Sequence, residues 1–426
     1  MKDGGVGKIF PSADPKTDHM AQMIDLKRNQ RNALLAGFLG WTLDAFDFFI
    51  LTFALGTVAK DFNRSIPEIA LTLTASLAMR PVGALIFGLM ADRYGRKAPL
   101  MINIVFYSVV EVCSGLAPSY GVFLFLRFLY GIGMGGEWGV GASLVMESVS
   151  KKKRGLLSGL LQEGYAFGFL LAAAAYYLVF PHFGWRAMFF VGGLPALLTL
   201  FIRSKVQETE AWKASRMTNW KEYGQAVVKH WKLFLYLVLL MSMMNLISHG
   251  TQDLYPTFLQ QQHHFSPHKT AVITMISMVG AIAGGLLFGH ISDRWGRRRM
   301  MVVAVMLAIL LIPLWMYNGA VAVIALGAFG MQFMVQGAWG IIPAHINELS
   351  PGSLRGFFPG FAYQLGVLIA SSIAYVEALL AQHLDYTRSM EILAGTVLIL
   401  GAIVIWAGPE ARGVDFHPPE SASSPA

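Results

Sequence analysis

The chain has 426 residues, of which 55% are hydrophobic and only 14% charged, at a formal net charge of +8. Soluble domains carry about 25% charged residues, and a mean hydropathy of +0.52 places this chain outside that class. A single cysteine, Cys113, excludes an intramolecular disulfide; it falls in an apolar run, where it is expected as a buried structural thiol.

Apolar runs of about 20 residues, the length that crosses a bilayer core, recur from Ala33 to Trp406. They lie near 32–58, 66–91, 98–117, 120–147, 155–180 and 185–203, then near 231–260, 270–291, 299–317, 320–347, 355–380 and 386–407. This predicts an all-α membrane protein with twelve transmembrane helices. The first thirty residues are polar and mixed in charge, unlike a signal peptide, so the first run is expected to be an uncleaved anchor. The Ser/Pro-rich stretch 417–426 is expected to be disordered.

Numbering the loops alternately puts 26 of the 33 Lys and Arg on one side of the membrane and five on the other, with Arg80 and Arg127 inside spans. That asymmetry predicts a multi-pass protein with both termini in the cytoplasm, and it explains the basic charge without nucleic acid. Short tails and loops suit a prokaryotic inner membrane.

The chain repeats itself at an offset of 201 residues. Gly88-Leu-Met-Ala-Asp92-Arg93-Tyr-Gly95-Arg96-Lys97 returns as Gly289-His-Ile-Ser-Asp293-Arg294-Trp-Gly296-Arg297-Arg298. Glu147 with Arg154-Gly155 returns as Glu348 with Arg355-Gly356, and Gly136-Glu-Trp138-Gly139 as Gly337-Ala-Trp339-Gly340. The expected organisation is a cytoplasmic segment (1–31), a six-helix bundle (32–203), a charged connector (204–230), a second six-helix bundle (231–408) and a tail (409–426). Such repeats place a solute site between the halves, near mid-membrane.

Ionisable residues inside spans are costly and mark sites or partners. Arg80 sits in the second run beside Pro81; it faces either a ligand or an intramembrane acid such as Asp44 or Glu137. A guanidinium matches a carboxylate as a planar fork. Arg127 lies nearer the start of its run and is expected to snorkel or pair. Asp44, Asp47, Glu137 and Glu163 are acids that can bind a proton or pair with these arginines. Trp41, Phe46, Tyr165 and Phe167 are expected to shape a cavity or pack.

The densest polar pattern is Asn245-x-x-Ser248-His249-x-Thr251-Gln252-Asp253-x-x-x-Thr257, inside an apolar helix expected from Leu233 to Leu259. At about 100° per residue, Asn245, Ser248, His249, Gln252 and Asp253 share one face, with Pro256 able to kink it. The stripe predicts the wall of a hydrated site, in which Asn245 and Gln252 can donate to substrate oxygens and His249 and Asp253 can exchange protons. Thr251 and Thr257 point off this face and are expected to bond backbone or pack.

With its twelve spans and its doubled Gly-x-x-x-Asp-Arg-x-Gly-Arg-Lys/Arg loop, the chain resembles the major facilitator superfamily. Gly40-Trp-Thr-Leu-Asp44-Ala-Phe-Asp47-Phe-Phe looks like the sialate:proton symporter group, and the Asn245-to-Thr257 motif is similar to that of lactate/pyruvate:proton permeases. The resemblance implies two pseudo-symmetric six-helix bundles and a proton symporter of a small monocarboxylate. It implies substrate binding by Arg80, Asn245, His249, Gln252 and Gln364. Proton coupling then falls to Asp253, His249, Asp44, Glu137 or Glu163. A cytoplasmic gate is implied at Asp92, Arg96, Asp293 and Arg297, with Glu147/Arg154 and Glu348/Arg355. A monomer without metal or cofactor is expected, its partners being a small carboxylate, a proton and the lipid bilayer, with no nucleic acid.

Three alternatives remain open: a carrier of a larger acid such as sialate or an aromatic acid, a low-flux nutrient receptor, and a membrane enzyme. No phosphate-binding Gly-x-x-x-x-Gly-Lys-Ser/Thr is present, and Gly131-Ile-Gly133-Met-Gly-Gly suits close helix packing. His263, His264 and His268 lack acidic or thiol neighbours at zinc spacing and are expected to be solvated.

Overall fold

A computed structural model describes residues 15–416, except 217–218, 372, 374–375, 377–379 and 381–382. The polar start of the chain (1–14) and the Ser/Pro-rich 417–426 lie outside the described residues.

The first half begins with α1 (Pro15–Asp61), which extends the first apolar run by a polar N-terminal stretch. Helix α2 (Ile66–Tyr94) starts at Ser65, whose hydroxyl accepts from the Glu68 amide while the Glu68 carboxylate accepts from the Ser65 amide. Those Ser65 bonds hold the Glu68 carboxyl below its ordinary value. Then come α3 (Lys97–Gly115), α4 (Tyr120–Ser148), α5 (Arg154–Gln162) and α6 (Gly164–Val191). Within α6 the chain reverses at Gly184, where φ is 73°, a value that suits glycine, and returns through α7 (Leu198–Lys205).

The connector is more ordered than a charged linker. It forms α8 (Glu210–Ser215) and α9 (Trp220–Lys229), with Trp212 and Tyr223 buried. The second half follows as α10 (Trp231–Gln252), α11 (Tyr255–Gln261), α12 (Pro267–Trp295), α13 (Arg297–Trp315), α14 (Val321–Leu349), α15 (Phe358–Ala370) and α16 (Tyr386–Ala407). Shifting α2 and α4 by 201 residues reproduces the bounds of α12 and α14. Each pair packs along its length: α2 on α4, α12 on α14.

Nine stretches among the described residues are long and apolar enough to cross a membrane. Helix α4, the return after Gly184 and α15 complete the twelve passes. Leu71, Phe125, Tyr177, Leu310 and Trp406 are exposed on the outer surface, where hydrocarbon rather than water surrounds a spanning helix. Cys113 is half-buried rather than buried. His263 is not simply solvated; it packs against Phe258 and Phe265, with ring centroids 4.9 and 5.2 Å away.

Candidate functional site

The polar stripe breaks its own helix. Proline 256 has no N–H to return to the Gln252 carbonyl, so α10 ends at Gln252 and α11 restarts at Tyr255. The helix expected over 233–259 is therefore two pieces. Asp253 lies at the break, and its carboxylate meets His249 Nδ1 at 3.1 Å.

A cavity of about 160 Å³ opens between the halves at this break. From the second half come Asn245, Ser248, His249, Gln252, Asp253, Gln336, Trp339 and Tyr363; from the first, Trp41, Phe48, Arg80, Gln162 and Tyr165. Aromatic rings crowd beneath it: Tyr363 lies 4.5 Å from Trp138, 5.9 Å from Trp339 and 6.5 Å from Trp41, by centroids. On the open side the His249 and Asp253 side chains remain 36% and 39% exposed.

Arg80 is the chief charge on the first-half wall. Its residue is 5% exposed, yet Nε and Nη2 have no hydrogen-bond partner among the described residues. Neither Asp44 nor Glu137 forms an ion pair with it, so the acid-paired alternative is not what the structure adopts. Its guanidinium carbon lies 5.8 Å from the Tyr363 ring centroid. Close packing sets this position, since a Cβ on Gly135 of α4 would collide with the Arg80 carbonyl. Trp41 Nε1, also on the cavity, is likewise unpartnered.

The second-half amides are engaged. Asn245 Nδ2 donates to the Met241 carbonyl at 2.8 Å. Gln252 Nε2 donates to Gln332 Oε1 at 2.6 Å, and Gln332 Nε2 donates to the Thr251 carbonyl at 3.2 Å. Gln336 Nε2 donates to Ser248 Oγ at 3.2 Å. Thr251 bonds the Ile247 carbonyl, as its position off the stripe suggests.

Other expected site residues fall outside the cavity lining. Gln364 is buried against α4, its Nε2 donating to the Gly135 carbonyl at 3.3 Å; its register on α15 turns it to that helix. Asp44, Asp47 and Glu137 are buried with both carboxylate oxygens, and Glu163 with one, lacking a hydrogen-bond partner among the described residues. Arg127 does pair, with Glu111 at 2.7 Å. Phe46 is buried in the first-half core, and Phe167 is exposed beside Phe38.

The face that carries the connector is closed by a symmetric brace. Asp92 accepts from the Gly356 and Phe357 amides at 2.7 and 3.1 Å, and Asp293 from Gly155 and Leu156 at 2.8 and 3.1 Å. Each carboxylate thus caps a helix start in the opposite half. Arg96 holds Asp92 at 2.7 Å and Glu147 at 2.8 Å; Arg297 holds Asp293 at 2.8 Å and Glu348 at 2.9 Å.

The expected pairings within each half, Glu147 with Arg154 and Glu348 with Arg355, are corrected. Arg154 bonds Glu348 at 2.9 Å and Arg355 meets Glu147 at 3.5 Å, both across the halves. The pseudo-symmetry brings each arginine to the other half's acid. Ser158 inserts into α14, donating to the Gly340 carbonyl and accepting from the Ala344 amide.

Connector and tail join the brace. Tyr223 donates to Asp92 at 2.9 Å, and burial together with that carboxylate pushes its hydroxyl well above its ordinary value. Phe416 lies 3.8 Å from the guanidinium carbons of both Arg154 and Arg355.

Gln162, Gln332, Gln336 and Glu111 escaped the sequence reading, as did Tyr363 and Phe416. For the first four the available signal was a polar residue inside an apolar run; Gln332 and Gln336 also stand one helical turn apart.

A family profile described as the Major Facilitator Superfamily matches residues 37–252 and 254–424. The chain is 30% identical to the carboxylic acid transporter protein homolog of Saccharomyces cerevisiae, covering 91% of this chain and 69% of that protein. It is also 30% identical to the sialic acid transporter NanX of Escherichia coli, covering 90% and 95%. The solved proton:xylose symporter XylE, bound to 6-bromo-6-deoxy-D-glucose, superposes with a TM-score of 0.73 over 90% of this chain and 97% of that one. At 20% identity this last likeness shows the fold alone. These relatives are transporters, not enzymes.

Proposed function

The chain belongs to the Major Facilitator Superfamily, and on that premise we propose a proton-coupled symporter of a small monocarboxylate such as lactate or pyruvate. It would stand in the lactate/pyruvate branch of the sialate:proton symporter family. The observation that carries this is Arg80, a buried guanidinium whose Nε and Nη2 find no acceptor among the described residues, on a cavity of about 160 Å³ shared by both halves. A carboxylate supplies what that guanidinium lacks: a bidentate, charge-assisted partner.

The His249–Asp253 pair lines the same cavity as Arg80 and is the candidate proton carrier on its wall; Asp44, Glu137 and Glu163 are candidates outside the lining. A proton on the pair removes a negative charge that competes for Arg80, and one anion with one proton makes the step electroneutral. Substrate and proton then favour the occluded form together. Release requires the brace at Asp92, Arg96, Asp293 and Arg297 to part, with Glu147, Arg154, Glu348 and Arg355. In this reading the braced face is cytoplasmic, both termini lie there, the two six-helix bundles rock about the connector 204–230, and a monomer in a bacterial inner membrane suffices.

A larger acid is the second reading, favoured by the likeness to a sialic acid transporter. The small cavity favours the smaller substrate. The test is uptake of labelled lactate into vesicles of the purified protein under an imposed pH gradient, alkaline inside. Accumulation above equilibrium that collapses with the gradient is expected. Binding without accumulation would indicate a receptor, and accumulation of sialate but not lactate would favour the larger acid.

A further inference from the structure

The two walls of the cavity differ in hydrogen-bonding character, and groups with a single role fix the amide orientations. An indole N–H only donates and a backbone carbonyl only accepts. Trp138 Nε1 donates to Gln162 Oε1 at 3.3 Å, which leaves the Gln162 nitrogen for the cavity. Beside it stand Arg80 Nε and Nη2 and Trp41 Nε1, none with an acceptor among the described residues. The first-half wall is a set of donors.

The second-half wall is the reverse. Asn245 Nδ2 is drawn to the Met241 carbonyl, and its oxygen has no donor among the described residues. The Thr251 carbonyl takes the Gln332 nitrogen, so Gln332 turns its oxygen to Gln252 and draws the Gln252 nitrogen to itself. Gln252 Oε1 is thereby left without a donor among the described residues. Asp253 adds a carboxylate, and with His249 Nδ1 donating to it at 3.1 Å a neutral imidazole offers Nε2 as a further acceptor. Hydroxyls at Ser248, Tyr165, Tyr363 and Ser371 take either role and set no polarity.

We propose that this polarity selects a 2-hydroxy monocarboxylate over the 2-keto acid of the same size. The inference rests on the monocarboxylate reading above. The carboxylate lies against Arg80, Trp41 and Gln162, and the 2-hydroxyl donates its one proton to the acceptor pair made by the Asn245 and Gln252 oxygens. A keto oxygen has no proton to give; it leaves those acceptors unmet and sets like partial charges face to face. An unsubstituted acid leaves them unmet as well. Gln332 and Trp138 are positioning residues that act through Gln252 and Gln162.

The test is competition against labelled lactate uptake in proteoliposomes, with unlabelled lactate, pyruvate and propionate at one pH where all are ionised. Pyruvate and propionate are expected to need about tenfold higher concentrations than lactate for half-inhibition, the effect of one lost hydrogen bond. Gln332→Leu frees the Gln252 amide to turn, and the lactate-to-pyruvate ratio should fall towards one, which simple loss of folded protein would not produce. Pyruvate competing as well as lactate in the unaltered protein overturns the polarity proposal and leaves carboxylate transport standing. Absence of lactate uptake overturns the monocarboxylate reading, and this proposal with it.

Discussion

Arg80 and Arg127 stand in adjacent helices of the same half, equally hidden from solvent, and they meet opposite fates. Arg127 has Glu111 at 2.7 Å and Ser114 beside it. Arg80 has no ion pair among the described residues and leaves Nε and Nη2 without an acceptor there, although the acids Asp44 and Glu137 are buried in the same half; Arg127 leaves only Nε so. Arg96 and Arg297 side with Arg127, each gripped by two carboxylates. A buried charge left alone is expensive. Where the fold supplies the counter-charge, the arginine is structural; where it leaves guanidinium nitrogens without an acceptor at a cavity, a ligand carboxylate is the partner proposed above.

The sharpest way to break this contrast is to remove Arg127. Arg127→Gln strands Glu111 and is expected to cost about 3–5 kcal/mol, read as a large drop in unfolding temperature in detergent. Lactate affinity of the surviving protein should be near normal. Arg80→Met should do the opposite: lactate affinity falls about 30- to 100-fold, roughly 2–3 kcal/mol for a charge-assisted pair, while the unfolding temperature holds or rises. A loss of stability in Arg80→Met equal to that in Arg127→Gln would make both arginines structural.

The brace gives a third test. Asp92→Asn weakens its ties to Arg96 and to two amides of the opposite half. Labelling of a cysteine at buried Ala344 should rise about tenfold, the effect of about 1.4 kcal/mol, in a chain where Cys113 is replaced by serine. Asp293→Asn should come within a few-fold of it, since both carboxylates cap a helix of the opposite half and hold their own arginine, Asp92 having Tyr223 in addition; a silent Asp293→Asn would deny the symmetry. Phe416→Ala is the mildest change. It removes two cation–π contacts that together are worth about 1 kcal/mol at the exposed end of their range, and the same labelling should rise about fivefold.

Much of this contrast was visible in the residues. The 201-residue offset anticipates α12 and α14 from α2 and α4, and the stripe from Asn245 to Asp253 does meet Arg80 across the cavity. What escaped depended on register and long-range contact. Glu111 was one acid in an apolar run, and its meaning appears only when α3 lies against α4. Glu147 was matched with Arg154, its near neighbour in the chain, because nothing local reveals that the halves exchange arginines. Gln364 had the right residue type in the right helix, but α15 turns it towards α4. The directions of the Gln162 and Gln252 amides, on which substrate choice is proposed to rest, depend on Trp138 and Gln332; the repeat that contains Trp138 says nothing of that contact, and Gln332 belongs to no motif.

Phe416 has a practical consequence. It stacks on one arginine from each half, while Lys151 meets Asp415 at 3.1 Å and Arg154 holds the Val414 carbonyl at 2.9 Å. A truncation made ahead of this ring, or a fluorescent reporter spliced there, would alter the resting state under study. Such handles belong beyond it, and crystallisation trials on chains trimmed before it would sample a looser molecule.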